Sequence, residues 1–455
     1  MSHPATEPKR NKNEFRINVY GLGYTGTITA VCLALKNHSV RIYEKNQEMV
    51  RRFNEGKPSF AHIELKSIQS QIEQCHKNMA AFSLEEKITA ADFHLACVGT
   101  PSNKIGDFDL EQIVAVSKNI SSSLKIKQPN IPIVLFRSTM LPNSLRELVL
   151  PVMEKESGMQ EGKDFFLAAF PEFLREGSGI QDTWSPLHFI VGPISKFPEE
   201  ARSRIDSLFQ NSQTLEILTP EECSMIKLGS NAFHSMQIAF ANELSELCNN
   251  LGISGNRVLC ALINENKLRY ERNYLKPGPP FGGPCLPKDL VAIQSMATAH
   301  STKIPLLESI SISNQNRLNK IADLILKQNK TRIGFHGISF KPETGDTRGS
   351  AVLNIIELLH LKNQNLKIEF FDENCSLENL NQKIRTKVIP VSDPIELLRD
   401  DTSLLVIGSQ RPQPDFLANL IIKENICLDL NYFADISKHL SEKHQNILFL
   451  CPPKI

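Results

Sequence analysis

The chain has 455 residues, 41% hydrophobic and 22% charged, and its 51 Lys and Arg residues balance 50 Asp and Glu residues for a net charge of +1. This composition is typical of a globular protein with two or three cores, and it argues against disorder and against nucleic-acid binding by bulk charge. No apolar run is long enough to span a bilayer, and the first residues lack the apolar core of a signal peptide. The ten cysteines show no metal-ligand spacing, so we expect reduced thiols and no metal site. Taken together, these features predict a cytoplasmic protein with neither nucleic-acid nor membrane partners.

Strands and helices alternate along the first part of the chain, after a polar leader over residues 1–13 that we expect to be disordered. A strand opens at FRINVYGLG from Phe15, and further strands are predicted at Val40–Tyr43, Phe93–Val98 and Ile131–Phe136, with helical stretches between them. This alternation predicts a parallel sheet in an α/β layer of the Rossmann type.

The middle of the chain has a different sequence pattern. From Glu221 to about Leu262 the sequence is helical, apolar on most sides and free of proline, which predicts a buried central helix. Residues 264–289 concentrate glycines and prolines and predict a long loop, a feature that is usually functional in a compact domain.

After a helical stretch that ends near Gln328, strand-type runs return in TRIGFHGISF, LKIEFFD, SLLVIGS and ICLDLNYF. The fold class is therefore α/β, with strand-rich ends around a helical middle. We predict three domains, namely a Rossmann domain over residues 14–210, a central helical domain over 211–320 and a Rossmann-like domain over 321–455.

A glycine-rich turn, Gly-x-Gly-x-x-Gly, follows the first predicted strand and opens a helix, where glycines allow a tight turn and free N–H groups can bind a pyrophosphate. A glutamate ends the second predicted strand, where a carboxylate binds the ribose 2′-hydroxyl and repels a 2′-phosphate. The sequence therefore predicts NAD as the cofactor. The residues expected to bind it are Gly21, Gly23, Tyr24, Thr25, Gly26 and Glu44.

Four segments go beyond a general dinucleotide fold. They are Cys97-Val-Gly-Thr-Pro101, Arg137-Ser-Thr139, Phe170-Pro-Glu172-Phe-Leu-Arg-Glu-Gly177 and Phe281-Gly-Gly-Pro-Cys285-Leu-Pro-Lys288-Asp289. With Lys227…Asn231 and Phe340-Lys341…Arg348, they lie in order between about residues 15 and 430. In these motifs the sequence resembles the UDP-glucose/GDP-mannose 6-dehydrogenase family.

Within that family the sequence looks most similar to the GDP-mannose branch. The features typical of that branch are His234, the stretch Asn266-Lys-Leu…Tyr274-Leu-Lys-Pro-Gly278 and the ending Cys-Leu-Pro-Lys-Asp. The resemblance implies a four-electron oxidation of a sugar-nucleotide C6 alcohol to a uronic acid, with two NAD+ used in turn. It also implies a homodimer built on the central helix, with a higher oligomer left open, and a C-terminal domain that binds the sugar nucleotide.

A thiol can hold the intermediate aldehyde of such a reaction as a thiohemiacetal, and Cys285 is the expected nucleophile because it lies among Gly, Pro, Lys and Asp instead of in an apolar run. Lys227 is suited to stabilising an oxyanion at C6, and the resemblance makes Glu172 the general base for thioester hydrolysis. The expected catalytic residues are Cys285, Lys227, Glu172, Asn231, Asp289 and Thr139.

The resemblance extends the other two sets of site residues. The further cofactor residues are Thr100, Thr139, Glu176, Lys288 and Arg348. The expected substrate residues are Phe173, Leu174, Lys227, Asn231, His234, Asn242, Tyr274, Lys276, Gly282, Phe340 and Lys341.

Helical periodicity gives the substrate residues of the central helix a common stripe, formed by Lys227, Asn231, His234 and Asn242. A polar stripe on a buried helix is costly unless something pairs with it, and a bound sugar nucleotide would do so. For His234 the alternative is a core histidine whose hydrogen bonds are satisfied within the protein.

The sequence departs from the family pattern around the thiol. Pro284 stands where the family usually has Ser, Pro279 and Pro280 should stiffen the loop, and Lys276 offers phosphate a point charge instead of the paired donors of Arg. Two alternatives therefore stay open. One is a dehydrogenase for UDP-glucose or a UDP-N-acetylhexosamine, and the other is a catalytically weakened protein that binds sugar nucleotides.

Overall fold

The structure is a computed structural model that describes residues 14–57, 73, 78–102, 108–186, 189–209, 214–264, 274–342, 345–398, 403–409, 412–413, 416, 426–430 and 447–449. The predicted leader and the Asn266-Lys-Leu motif lie outside these residues. Contacts divide the chain into two compact units, residues 1–229 and 230–455.

The first unit contains an eight-stranded sheet. Its strands are β1 (Arg16–Tyr20), β2 (Ser39–Glu44), β3 (Met79–Ser83), β4 (Phe93–Ala96), β5 (Ile133–Phe136), β6 (Phe166–Ala169), β7 (Ile190–Pro193) and β8 (Glu216–Ile217). They are ordered β3-β2-β1-β4-β5-β6-β7-β8, and every neighbouring pair is parallel except β6–β7. The order reverses between β1 and β4, which is where doubly wound sheets bind ligands at their carboxyl edge.

Helices cover both faces of this sheet, as a parallel sheet requires. They are α1 (Tyr24–Leu35), α2 (Gln47–Asn54), α3 (Glu111–Leu124), α4 (Leu150–Ser157, preceded by a π-helical turn over Leu145–Val149), α5 (Gly179–Trp184) and α6 (Glu199–Phe209). Ile28 and Leu33 of α1 belong to one buried apolar cluster, whereas Ile113 and Ile120 of α3 belong to a second. The strand side chains are shared between these two cores.

The predicted central helix is two helices, α7 (Pro220–Asn250) and α8 (Gly255–Ile263). The expectation of one helix to about Leu262 is therefore wrong. Gly252 has a φ of +72°, a conformation that glycine adopts without strain, and it ends the first helix. Ser254 then starts the second by accepting a hydrogen bond from the Arg257 N–H at 3.4 Å.

The expectation of a buried central helix is met by only part of the surface of α7 in the single chain. Phe233, Phe240, Leu247 and Leu251 expose 48%, 47%, 56% and 66% of their surface. The spacing of seven residues places the first three along one side of the helix, and Leu251 follows the last residue of the helix. The polar residues of α7 named in the predicted stripe lie on a different side, because the helix turns by about 100° per residue.

The second unit contains a six-stranded, fully parallel sheet ordered β11-β10-β9-β12-β13-β14. Its strands are β9 (Arg332–His336), β10 (Lys367–Phe371), β11 (Val388–Pro390), β12 (Ser403–Ile407), β13 (Ile426–Asp429) and β14 (Ile447–Phe449). Its other helices are α9 (Leu286–Ala299), α10 (Pro305–Leu326), α11 (Ala351–Lys362) and α12 (Gln382–Arg385), and 3₁₀ turns lie at Leu377–Asn379 and Pro394–Leu398. The predicted α/β class, with two Rossmann-like parts around a helical middle, is confirmed.

The boundary between the two compact units falls between Gly229 and Ser230, inside α7. The predicted three-domain boundaries at 210 and 320 stay a prediction. In the part of the chain that is described, no helix is both long enough and apolar enough to cross a membrane.

Candidate functional site

The glycine-rich turn lies between β1 and α1 and is closely packed. A Cβ on Gly21, whose φ is +99°, would lie 2.9 Å from the carbonyl oxygen of Cys97, and a Cβ on Gly26 would overlap the carbonyl oxygen of Gly21. Helix α1 begins after Gly23 without a side-chain cap from the described residues. Its first N–H groups can therefore bind an anion such as a pyrophosphate, as the sequence predicts.

Glu44 ends β2 and is 8% exposed. One carboxylate oxygen accepts the Leu22 N–H at 2.8 Å and the other accepts the Asn46 N–H at 2.9 Å. The carboxylate is thus fixed against the glycine-rich turn, and its remaining lone pairs can accept ribose hydroxyl groups. A 2′-phosphate would meet a fixed negative charge here, so the site fits NAD.

Two of the motif segments meet at the ends of β4 and β5. The Thr100 hydroxyl donates to the Thr139 carbonyl at 2.9 Å, and the Ser138 hydroxyl donates to the Val98 carbonyl at 2.7 Å. Thr100 is 5% exposed, so the structure gives its hydroxyl a backbone partner, whereas Thr139 is half-buried. Thr139 therefore keeps access to solvent at this edge of the sheet.

A buried ion pair joins the predicted base to α7. The Glu172 carboxylate lies 3.5 Å from the Lys227 Nζ, with side chains 12% and 7% exposed, and its other oxygen accepts the Leu174 N–H at 2.6 Å. The Lys227 ammonium also lies 5.4 Å from the centre of the Phe173 ring. This arrangement holds the Glu172 carboxylate and the Lys227 ammonium group together where little solvent reaches them. Electrostatic interactions are stronger there than in bulk water.

Residues 171–178, which carry Glu172, have no regular secondary structure and are fixed at their far end. The Tyr24 hydroxyl donates to the Arg175 carbonyl at 2.8 Å, and a Cβ on Gly179 would collide with that hydroxyl. The Arg175 guanidinium pairs with Asp182 at 2.7 Å. Tyr24, predicted at the cofactor, thus joins α1 to this segment. Glu176, which follows Arg175, and Thr25, which follows Tyr24, are both half-buried.

Cys285 differs from most other thiols of the described chain. Burial raises the pKa of the Cys97 thiol to about 12, and burial likewise raises the pKa of Cys223 to about 12. Both therefore stay protonated at neutral pH. Cys285 is exposed, as is Cys260, and only Cys285 begins a helix, α9, whose N-terminal N–H groups favour an anion.

A buried carboxylate supports this helix. Asp289, which is fully buried, accepts a hydrogen bond from the Asn231 Nδ2 at 2.5 Å and pairs with the Lys288 Nζ at 2.5 Å. The structure thus unites three predicted site residues from α7 and α9. It leaves the Asn231 amide oxygen as the group that can face a water or a substrate hydroxyl.

The glycines before the thiol allow close contact with the connection between β9 and α11. A Cβ on Gly282 would overlap the Gly349 carbonyl, and a Cβ on Gly283 would penetrate the Phe340 ring. The Gly283 N–H donates to the Gly349 carbonyl at 2.8 Å. Glycine is therefore needed at both positions for packing within the protein.

The remaining predicted substrate and cofactor residues of the second unit have varied surroundings. The His234 and Tyr274 rings stack with centroids 4.3 Å apart. Lys276 is exposed and Lys341 is half-buried. Arg348 is exposed, and its guanidinium pairs with Asp346 in a two-pronged contact at 2.5–3.0 Å.

The structure corrects the argument made for the polar stripe of α7. Lys227 pairs with Glu172, Asn231 donates to Asp289, and the two ends of the Asn242 amide bind the backbone of the loop at Gly278 and Pro279. These polar groups are satisfied within the protein, so the stripe alone does not require a ligand. For Asn242 the structure assigns a role in holding the loop.

Sequence reasoning missed two residues of α10. Asn314 and Arg317 bind the backbone of the loop before Cys285. A signal existed in the sequence, because a proline-rich loop has few N–H groups of its own and needs side-chain partners to be held in one conformation.

The sequence matches two family models. Residues 15–212 match the NAD-binding domain of the UDP-glucose/GDP-mannose dehydrogenase family, and residues 221–316 match its central domain. The curated GDP-mannose 6-dehydrogenase of Pseudomonas aeruginosa is 32% identical over 399 residues, which are 87% of this chain and 89% of that protein. The UDP-glucose 6-dehydrogenase of Rickettsia bellii is 29% identical over 402 residues, 87% of this chain and 89% of that protein.

A solved structure supports the same assignment. The UDP-glucose dehydrogenase of the archaeon Pyrobaculum islandicum superposes with a TM-score of 0.84 at 25% identity, covering 98% of this chain and all of that one. The family predicted from the motifs is thus confirmed by sequence and by fold. The chain therefore belongs to the UDP-glucose/GDP-mannose dehydrogenase family of NAD-dependent nucleotide-sugar oxidoreductases.

Proposed function

We propose that the protein oxidises GDP-mannose at C6 to GDP-mannuronate, in two hydride transfers and one hydrolysis at Cys285. The observation that carries the chemistry is the contrast between one exposed thiol at a helix N-terminus and the buried Glu172–Lys227 pair. The observation that favours the GDP-mannose branch is that His234 and Tyr274, both typical of it, stack on each other.

The first half-reaction converts the C6 alcohol to an aldehyde. NAD+, bound at the glycine-rich turn, supplies the hydride acceptor for both oxidations. Lys227 is proposed to stabilise the alkoxide that forms when the hydroxyl loses its proton, because its ammonium is held near Glu172 in a partly dry place. Asn231, whose amide nitrogen is committed to Asp289, is proposed to orient the C6 oxygen or a water through its amide oxygen.

The second half-reaction uses the thiol. The Cys285 sulfur adds to the aldehyde carbon to form a thiohemiacetal, and loss of a second hydride leaves a thioester. Water then attacks the thioester carbonyl, and the bond to sulfur breaks to release the carboxylate and the free thiol. We propose that Glu172 takes the proton of this water, with Thr139 as a hydrogen-bond partner for it. In total, two NAD+ and one water give two NADH and three protons per alcohol oxidised to a carboxylate.

The other predicted residues take supporting roles in this proposal. Phe340 and Lys341 of the proposed C-terminal domain, residues 321–455, are proposed to bind the nucleotide diphosphate. The further proposed substrate contacts are Phe173, Leu174, His234, Tyr274, Lys276 and Gly282. Thr100, Glu176, Lys288 and Arg348 are proposed to contact the cofactor. A reduced thiol is required throughout, which is why we propose a reducing compartment such as the cytoplasm.

A second candidate substrate is UDP-glucose or a UDP-N-acetylhexosamine. It is favoured by the UDP-glucose relatives, one 29% identical and one with the same fold at 25% identity. A protein that binds sugar nucleotides without completing the oxidation is favoured by Pro284, which removes a backbone donor next to the thiol.

A panel of GDP- and UDP-sugars, followed with NAD+ by absorbance at 340 nm, tests the substrate. We expect turnover with GDP-mannose and formation of two NADH per sugar nucleotide. Turnover restricted to UDP-sugars would replace the proposed substrate by the second candidate. Binding of a sugar nucleotide without formation of NADH would show that the chain is a binding protein.

The thiol is tested by Cys285→Ser, with Cys260→Ser as the matched control, because both cysteines are exposed. The hydroxyl is a far weaker nucleophile at neutral pH, so we expect uronic acid formation to be lost while sugar-nucleotide binding measured by calorimetry stays near the parent value. The control should keep parent activity. Full two-step turnover by Cys285→Ser would refute covalent catalysis.

The general base is tested by Glu172→Gln, with the exposed Glu147→Gln as control. Loss of a positioned base commonly slows its own step by about 10²–10⁴-fold, so the thioester at Cys285 should accumulate. Intact mass spectrometry should then show an adduct, together with a burst of NADH before the steady state. A defect confined to the first hydride transfer would show that Glu172 has a different role.

We also propose that α7 joins two copies of the chain in a homodimer. The side of α7 formed by Phe233, Phe240 and Leu247, together with Leu251 just after the helix, is about half exposed in the single chain. An apolar patch of this kind is typical of a protein interface, and a second copy of the same helix offers a matching surface in a two-fold dimer.

A charge in this surface should separate the two copies. We expect Phe240→Glu to shift the mass measured by light scattering from that of a dimer to about 51 kDa, the mass of one chain. The control is Leu361→Glu, at a leucine that is 76% exposed on α11. A parent protein that is monomeric at micromolar concentration, or a Phe240→Glu variant that stays dimeric, would contradict the proposal.

A further inference from the structure

We infer that Asn314 and Arg317 are positioning residues for the Cys285 thiol, because they hold the backbone of the segment that leads to it. This inference rests on the proposed role of Cys285. Neither side chain is placed at the reacting atoms. Their proposed effect passes through the loop that the structure shows them binding.

The segment over residues 277–284 has the sequence Pro-Gly-Pro-Pro-Phe-Gly-Gly-Pro and cannot hold itself in one conformation by backbone hydrogen bonds alone. Its four prolines carry no N–H, which leaves amide hydrogens only at residues 278, 281, 282 and 283. Its three glycines are conformationally free. A fixed position for the next residue, Cys285, therefore depends on partners outside the segment.

Asn314 acts as such a partner at Phe281. Its side-chain oxygen accepts the Phe281 N–H at 2.7 Å, and its side-chain nitrogen donates to the Phe281 carbonyl at 3.0 Å. One amide side chain thus pairs with both polar groups of one backbone residue, as a neighbouring strand would.

Arg317 acts one turn later on the same face of α10. Its Nε and Nη2 both donate to the Gly278 carbonyl, at 3.0 and 2.8 Å. From α7, Asn242 accepts the Gly278 N–H at 2.9 Å and donates to the Pro279 carbonyl at 3.2 Å. The segment is therefore held from two helices at residues 278 and 279 and from α10 again at 281.

Only a short stretch of chain separates these hydrogen bonds from the thiol. The Gly283 N–H donates to the Gly349 carbonyl at 2.8 Å. Cys285 follows two residues later and is the N-cap residue of α9. A displacement of Phe281 thus reaches Cys285 over four residues. Misplacement of a reacting group by about 1 Å costs about 10²-fold in rate.

The two half-reactions should respond differently if this inference is correct. The first hydride transfer needs no bond to sulfur, whereas the second needs the thiohemiacetal at Cys285. Loss of the side-chain hydrogen bonds to the loop should therefore slow the second hydride transfer. The rate of the first hydride transfer and the KM for NAD+ should stay close to the parent values.

The test compares Asn314→Ala and Asn314→Asp with Asn316→Ala, a change of the same residue type at an exposed position of the same helix. Asn314→Asp keeps the size of the side chain and its acceptor for Phe281, and it replaces the donor by a repelling oxygen, so it tests the hold with little risk to folding. Hydrogen exchange at the Phe281 amide is measured by mass spectrometry, and the two equivalents of NADH are resolved by stopped flow.

For Asn314→Ala we expect exchange at Phe281 to be about tenfold faster, as for the loss of one hydrogen bond. We expect the second hydride transfer to be about tenfold slower or more, and the first to change by less than about twofold. Asn314→Asp should show the kinetic effect with a smaller change in exchange, and Asn316→Ala should match the parent in both measurements.

If the Phe281 amide of Asn314→Ala exchanges as slowly as that of the parent protein, Asn314 does not hold the loop in place. Faster exchange with both hydride transfers at the parent rate, or with both slowed equally, would refute the positioning role. A parent protein that oxidises no sugar nucleotide would refute the proposed function and with it the positioning role, whereas the exchange measurement still decides whether Asn314 holds the loop.

Discussion

Polar side chains on a helix that packs inside a protein are stable only if each has a partner, and this constraint organises the site. Helix α7 carries Lys227, Asn231 and Asn242 in buried positions. Removing one partner of a buried charged pair commonly costs about 3–5 kcal/mol. Each of these side chains therefore fixes another part of the chain, namely Glu172, Asp289 or the loop at Gly278. Lys227 does so within the first compact unit, and Asn231 and Asn242 do so within the second.

The same constraint explains why the irregular segments of the site keep a definite shape. Residues 171–178 and 277–284 have no regular secondary structure, so their backbone groups must be satisfied in other ways. Tyr24 binds the carbonyl of Arg175 in the first segment, and Asn242, Asn314 and Arg317 bind the second. The backbone of both segments is thus fixed by neutral or charged side chains of nearby helices. This arrangement allows a loop to carry chemistry with the rigidity of a helix.

Solvent exposure together with a place at a helix N-terminus separates the proposed nucleophile from the other thiols of the described chain. Desolvation keeps thiols such as Cys97 and Cys223 protonated, because water no longer stabilises the thiolate. Cys285 is exposed at the start of α9. The adjacent Pro284 removes one N–H from this turn, and the packing of Gly283 on Phe340 and Gly349 compensates by fixing the backbone just before it.

The amino-acid sequence alone determined the α/β class, the parallel arrangement, the cofactor and the family. Each of these follows from local features, namely alternating apolar runs, the glycines at 21, 23 and 26, the acid at 44 and motifs within short segments. Only the tertiary structure decided that α7 ends at Asn250, that one side of it is exposed, and that Asn242 serves the loop. Pairings such as Asn231 with Asp289 or Asn314 with Phe281 join residues 58 and 33 positions apart. No periodicity within one segment encodes such a pairing, because it depends on how separate elements pack.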